Sequence, residues 1–221
     1  MLLTEAAEQV ALSRILTSHR QDLKVRPAAD IDGLRRIEPS FLRYARLVAF
    51  ASSVIVPGDL LASLGYGAYN FHPGPPNYPG WAPTHFALYD RATEFGVTFH
   101  AMAERVDSGM IIDVASFAIP KNSSVPSLCE LTYSQLLKLF VEWAPQLSTQ
   151  SSLPTPRPAL QWSGRMNSRH AYKAICDIPL DITRDELWRR MRVFGANHYG
   201  ISPTIQLHGV TFTATFPADN R

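Results

Sequence analysis

The chain of 221 residues is long enough for one sizeable core, alone or with a small appendage. With 46% hydrophobic and 18% charged residues it has the makeup of a globular protein rather than a disordered one. A formal charge of +2 is too small to argue for nucleic acid, and no run of about 18 apolar residues exists to span a bilayer. The two cysteines, Cys129 and Cys176, have no metal-like spacing and read as reduced thiols of a cytoplasmic protein. Met1 to Glu5 lacks a basic n-region, so a signal peptide is not expected.

Met1 to Leu3 reads as the tail of a first strand, with Thr4 as N-cap of a helix carrying Glu5, Glu8, Ala7, Ala11, Ile15 and Leu16. Leu23 to Pro27 reads as a short second strand, and Asp30 to Ile37 as a helix of one or two turns. Leu47 to Ala51 is an apolar run of the length a buried parallel strand needs. A short helix is expected at Asp59–Ser63 and a strand at Gly67–His72, stopped by Pro73. Pro83-Thr84 opens a helix through Phe86, Leu88 and Tyr89; Gly96–Met102 and Ile111–Ile119 are the next strands.

Ser127-Leu128-Cys129-Glu130 has capping-box spacing ahead of Leu131, Leu136, Leu139 and Phe140. Thr183 to Glu186 repeats it before Leu187, Met191 and Phe194, with Gly195 as the stop. Thr204–Leu207 and Val210–Thr215 flank His208-Gly209 as a hairpin. The expectation is an α/β fold with a mostly parallel sheet over residues 1–150. A small C-terminal α+β domain over 151–221 follows a proline-rich linker at 154–158.

The chemistry concentrates between Tyr69 and Gly109. Asn70 and His72 are two apart on a strand and so project to the same side. An Asn amide can donate to a carbonyl oxygen that becomes negative in a tetrahedral transition state, and an imidazole moves protons near neutral pH. Asp107 could orient the imidazole, stabilise its cation or hold a proton-relay water. Together these are the parts that acyl transfer to an amine requires.

The order Asn-x-His-Pro (Asn70 to Pro73), Tyr-Pro-Gly (Tyr78 to Gly80), Thr84-His85, Gly-Val-Thr-x-His (Gly96 to His100) and Asp-x-Gly (Asp107 to Gly109) resembles the formyltransferases that use 10-formyltetrahydrofolate. That group includes glycinamide ribonucleotide transformylase, methionyl-tRNA formyltransferase and the sugar N-formyltransferases. The resemblance covers about 47–145 strongly and 165–215 more weakly. It implies a Rossmann-like catalytic sheet and a triad of Asn70, His72 and Asp107. It also implies a pterin seated against the backbone of Ser53, Val54 and Ile55 and of Glu104, Arg105 and Val106. The apolar Val54, Ile55 and Val106 suit a flat heterocycle, and buried strand ends explain them equally well. His85 and His100 could line the acceptor side or be satisfied structural histidines. No metal is expected, since the histidines lack ligand spacing.

Leu3-Thr4-Glu5-Ala6 stands where the glycinamide ribonucleotide enzyme has a Gly-rich turn for the substrate phosphate. An acid there repels phosphate, which argues against that substrate. Between 157 and 192 eight cations (Arg157, Arg165, Arg169, Lys173, Arg184, Arg189, Arg190, Arg192) face four acids. That excess could touch phosphates but equally describes a solvated helix face. The expected partner is a small-molecule amine, an amino sugar nucleotide or amino acid derivative. Nucleic acid and membrane are not expected, and a homodimer is compatible. Two other readings stay open: hydrolysis of the same donor, and a non-catalytic folate-binding module.

Overall fold

The computed structural model describes residues 1–152, 154–155 and 160–215. The proline-rich stretch expected as a linker therefore lies largely outside the described residues, as does Arg157. The chain runs β1 (Leu2–Leu3), α1 (Ala6–His19), β2 (Pro27–Ala28), α2 (Ile31–Arg35), α3 (Pro39–Leu42), β3 (Leu47–Phe50), α4 (Gly58–Ser63), β4 (Ala68–His72), α5 (Pro83–Tyr89), β5 (Glu94–Ala101) and β6 (Ile111–Ala118). After these come α6 (Val125–Thr149), α7 (Arg169–Cys176), β7 (Asp177–Ile178), α8 (Arg184–Phe194), β8 (Thr204–Leu207) and β9 (Val210–Thr213).

Six strands form one sheet in the order β2-β1-β3-β4-β5-β6. The first four are parallel, while β5 and β6 run antiparallel to their neighbours. The sheet is mostly parallel, as expected. β6 returns antiparallel to β5 because only 102–110 separate them, too few for the crossover of a dozen or more residues that a parallel return needs. A second sheet, β7-β8-β9, carries the expected terminal hairpin.

Alternation sorts the central strands by face. Tyr69, Phe71, Val97 and Phe99 turn one way into the core beneath α1 and α6, where Phe71 and Phe99 stack with centroids 4.4 Å apart. Asn70, His72, Thr98 and His100 turn the other way, with Asn70 paired to His100 and His72 to Thr98 across β4 and β5. The aromatic face stabilises the sheet and the opposite face is left for chemistry.

Three local expectations are corrected. The second strand is Pro27–Ala28 rather than 23–27: β1 is only two residues long and pairs with Pro27 and Ala28, with the Arg26 carbonyl accepting from the Leu2 N–H just outside the strand. Thr4 is not the N-cap of α1. Its N–H still donates to Ala28 in the sheet, its hydroxyl donates to Glu8 Oε2, and Glu5 takes the cap position. The capping box of α6 is Ser124 with Ser127, three residues early, because Pro126 suits the first helical turn. The sequence reading also passes over α3 and α7.

Arg46 ties the sheet to α6. Its guanidinium, almost fully buried, donates to Leu147 (2.8 Å), Ser152 (2.9 Å), Tyr66 (3.1 Å) and Gln146 (3.5 Å), all backbone carbonyls. It thereby closes the C-terminal end of a 25-residue helix whose last carbonyls lack intrahelical donors. Arg46→Met is expected to cost about 2–4 kcal/mol of stability, read as a lowered urea midpoint with an unchanged slope.

Candidate active site

The site stands at the carboxyl end of β4, on the sheet face away from the aromatic core. His72 Nδ1 lies 3.2 Å from Asp107 Oδ2, and His100 Nε2 lies 3.3 Å from Asp107 Oδ1. Asn70 Nδ2 is 3.2 Å from His100 Nε2. The sequence-derived triad is thus brought together, but Asn70 joins it through His100 rather than directly. His100, weighed above as a structural histidine, is the cluster's fourth member. Its signal was its in-register pairing with Asn70, visible only once β5 is known to be antiparallel to β4. A bulge against β6 falls between Phe99 and His100, a feature that re-aims side chains beside sites.

Asp107 is placed by a constrained turn. Its φ of 43° is in the left-handed region, and two residues on, a side chain at Gly109 would put Cβ 1.8 Å from the Ala101 carbonyl oxygen. Only glycine permits that approach. From the opposite side the Gly80 N–H donates to Asp107 Oδ2 at 2.7 Å. Backbone held in the left-handed region by non-glycine residues clusters at functional sites, and Ala51 (φ 48°), at the end of β3, is a second case bordering the same crevice.

All three ionisable groups are buried: His100 is 2% exposed, His72 4% and Asp107 7%. Burial alone would raise the Asp107 carboxyl, but the fields of His72 and His100 and the Gly80 N–H together hold it below the ordinary value. For His72, loss of water lowers the imidazole below its ordinary value and outweighs the raising influence of Asp107. Of its two acceptor neighbours the carboxylate at Nδ1 is the stronger, so we assign the neutral ring's proton to Nδ1. Nε2 is left facing the Tyr78 carbonyl oxygen at 3.2 Å. His100 Nδ1 donates to the Ala101 carbonyl at 2.8 Å, so the neutral His100 ring accepts from Asn70 and the protonated ring donates to Asp107. The Asn70 Oδ1 is buried without a partner, an unsatisfied acceptor of the kind found at reactive sites.

Of the six expected pterin contacts, Ser53, Ile55, Glu104, Arg105 and Val106 are exposed and Val54 is half-buried. Ile55 is 68% and Val106 43% exposed, so buried strand ends do not explain them. The two segments border one another, since the Glu104 side chain sits against Gly58 at the start of α4. Among the described residues no group of three or more His, Cys, Asp or Glu is arranged to hold a metal ion, and no helix is long and apolar enough to cross a membrane.

The family profile described as Formyl transferase matches residues 31–142, half of the chain. The chain belongs to the formyl transferase family. Methionyl-tRNA formyltransferase of Listeria innocua is 33% identical over 123 residues, which are 55% of this chain and 36% of that enzyme. The chain thus spans about a third of that curated relative. A sugar N-formyltransferase from a Shewanella species is similar in fold across 97% of this chain and 95% of its own, at a TM-score of 0.76 and 16% identity. An N-formyltransferase from Helicobacter canadensis, solved with folinic acid and dTDP-3-aminofucose, covers 94% of this chain and 83% of its own at a TM-score of 0.66 and 16% identity.

His85 is apart from the cluster, 1% exposed among Tyr172, Phe194 and Tyr199. Its Nε2 meets His198 Nδ1 at 2.9 Å and its Nδ1 has no partner. Burial, then His198, lowers its pKa from 6.5 to about 4. An unfolded imidazole binds its proton first as pH falls, so His85 stabilises the fold above pH 6.5 and loses that contribution between 6.5 and about 4. The loss amounts to about 3 kcal/mol. Thermal melts across that window are expected to fall more steeply for the wild type than for His85→Asn.

Proposed function

We propose that this protein is an N-formyltransferase carrying a formyl group from 10-formyltetrahydrofolate to the amine of a small acceptor, an amino sugar nucleotide in the favoured case. The observation that carries the reading is the buried cluster of Asn70, His72, His100 and Asp107 at the end of β4. The folate derivative supplies the formyl carbon, bonded to N10. His72, neutral and held through Nδ1–H by Asp107, uses Nε2 to take the proton that the acceptor nitrogen loses as its bond to that carbon forms. The resulting imidazolium, beside a carboxylate kept ionised, and the free Asn70 N–H face the oxyanion. His72 then returns the proton to N10 as the C–N10 bond breaks, leaving tetrahydrofolate and a formamide. The exposed borders at 53–55 and 104–106 offer backbone groups and apolar side chains to a pterin.

Three observations support a small acceptor over a tRNA. The Helicobacter canadensis neighbour, similar over most of its chain, was solved with dTDP-3-aminofucose. Several cations of the 157–192 stretch are occupied internally. Arg189 and Arg190 both pair with Glu186, and Arg165 pairs with Asp90 at 2.7 Å. The methionyl-tRNA relatives match about half of this chain only.

The test is incubation with 10-formyltetrahydrofolate and a panel of amines, following tetrahydrofolate release. Acceptor-dependent turnover is expected, reduced by about 10²–10³ in kcat by Asn70→Ala and at least as much by His72→Ala or Asp107→Asn. Formate release at one rate with or without acceptor would mean a hydrolase. Tight folate binding without turnover, indifferent to Asn70→Ala, would mean a binding module.

A further inference from the structure

A reacting nitrogen and formyl carbon must come within hydrogen-bonding distance of His72 Nε2, and that position is occupied. The Tyr78 carbonyl oxygen lies 3.2 Å from Nε2. The Trp162 indole stands edge-on to both imidazoles, with centroids 5.0 Å from His100 and 5.9 Å from His72. Its Nε1–H donates to the Gly109 carbonyl at 2.8 Å, two residues beyond Asp107. We propose that Trp162 is a gate over the reaction centre, closed in the free protein to exclude water and lifted when substrates bind. This rests on the formyl-transfer reading and assigns to that site a residue which sets its choice between amine and water.

The gate is built as one piece with the loop that covers Nε2. Residues 160–167 lie along loop 75–81. Ser163 N donates to the Pro76 carbonyl (3.0 Å), Asn167 N to Pro79 (2.9 Å) and Trp81 N to Asn167 (2.8 Å), and Ser163 Oγ donates to Asn77 (3.3 Å). Loop 75–81 carries both the Tyr78 carbonyl on His72 and the Gly80 N–H on Asp107. Moving the 160–167 segment therefore moves the Tyr78 carbonyl with it. Gly164, inside the segment, has φ +78° and open space around it, a position able to absorb a backbone rotation. In the closed form the Tyr78 carbonyl caps Nε2, so lifting the loop uncovers that nitrogen. Trp162 is a positioning residue: it reacts with nothing, and it decides what reaches Nε2. A base that can activate an amine can also activate water, so the site gains from keeping this atom dry until an amine arrives.

The test combines a readout that needs no turnover with one that does. Unliganded protein is treated briefly with diethylpyrocarbonate, and modification of each histidine is followed by peptide mass spectrometry. In the wild type His72 is expected to react at least 10-fold more slowly than exposed His19 and His170. In Trp162→Ala it should react within a few-fold of them. Trp162→Phe, which keeps a ring but loses the donor to Gly109, should be intermediate. Acceptor-independent formate release from 10-formyltetrahydrofolate should rise about 10-fold in Trp162→Ala relative to acceptor-dependent transfer. His72 as reactive as His170 in the wild type, or protection unchanged in folded Trp162→Phe and Trp162→Ala, overturns the gate. Labelling as expected in a protein that never releases tetrahydrofolate supports the gate and overturns formyl transfer.

Discussion

The site depends on one carboxylate buried between two imidazoles. Asp107 holds the Nδ1 side of His72 on one oxygen and meets Nε2 of His100 on the other, with a backbone N–H from Gly80 as a third partner. An ionised carboxylate in so dry a place is costly unless such partners satisfy it. The same burial keeps His72 neutral, so the pair rests as base and carboxylate rather than as an ion pair. In the proposed reaction the proton goes to Nε2, and the charge it creates is stabilised by the carboxylate already beside Nδ1.

The fold supplies that arrangement through two features of the sheet. Alternation on β4 and β5 sends Tyr69, Phe71 and Phe99 into the core and Asn70, His72 and His100 to the other face, so the packing that stabilises the strands also aims the polar groups. β5 runs antiparallel beside β4 with Ala101 opposite Tyr69, so the 102–110 connection leaves at the amino end of β4 and its turn brings Asp107 back to His72 and His100 on the polar face. Elements nearer the C-terminus take part as well: α7 and α8 pack with α5 in one apolar cluster, and the 160–167 segment crosses the mouth of the site.

Much of this was legible in the sequence, for reasons that differ by element. The strands at 47, 68 and 111 and the terminal hairpin announce themselves by apolar runs and turn residues, and Thr183 caps α8 where its spacing says it should. Asn70 and His72 are visible because strand alternation alone puts them together. Asp107 is visible from its motif, although the turn that delivers it depends on a close approach between Gly109 and Ala101 that no local pattern reveals. Beyond the two misplaced helix caps, the failures are non-local. Residues 23–26 alternate like a strand but stay outside the sheet's ladder, because β1 is only two residues long. His100 looks like any core histidine until its cross-strand neighbour is known. Trp162 lies more than fifty residues from Asp107, on a segment with no helix or strand pattern to place it.

The most direct measurement is the tautomer and titration of His72, read from imidazole ¹⁵N shifts of the free protein. Near neutral pH His72 is expected as the neutral Nδ1–H form, titrating below 6.5, with the Nδ1 signal changed by Asp107→Asn. A ring carrying its proton on Nε2, or one titrating normally and indifferent to position 107, would contradict a carboxylate-held base and with it the arrangement of the whole site.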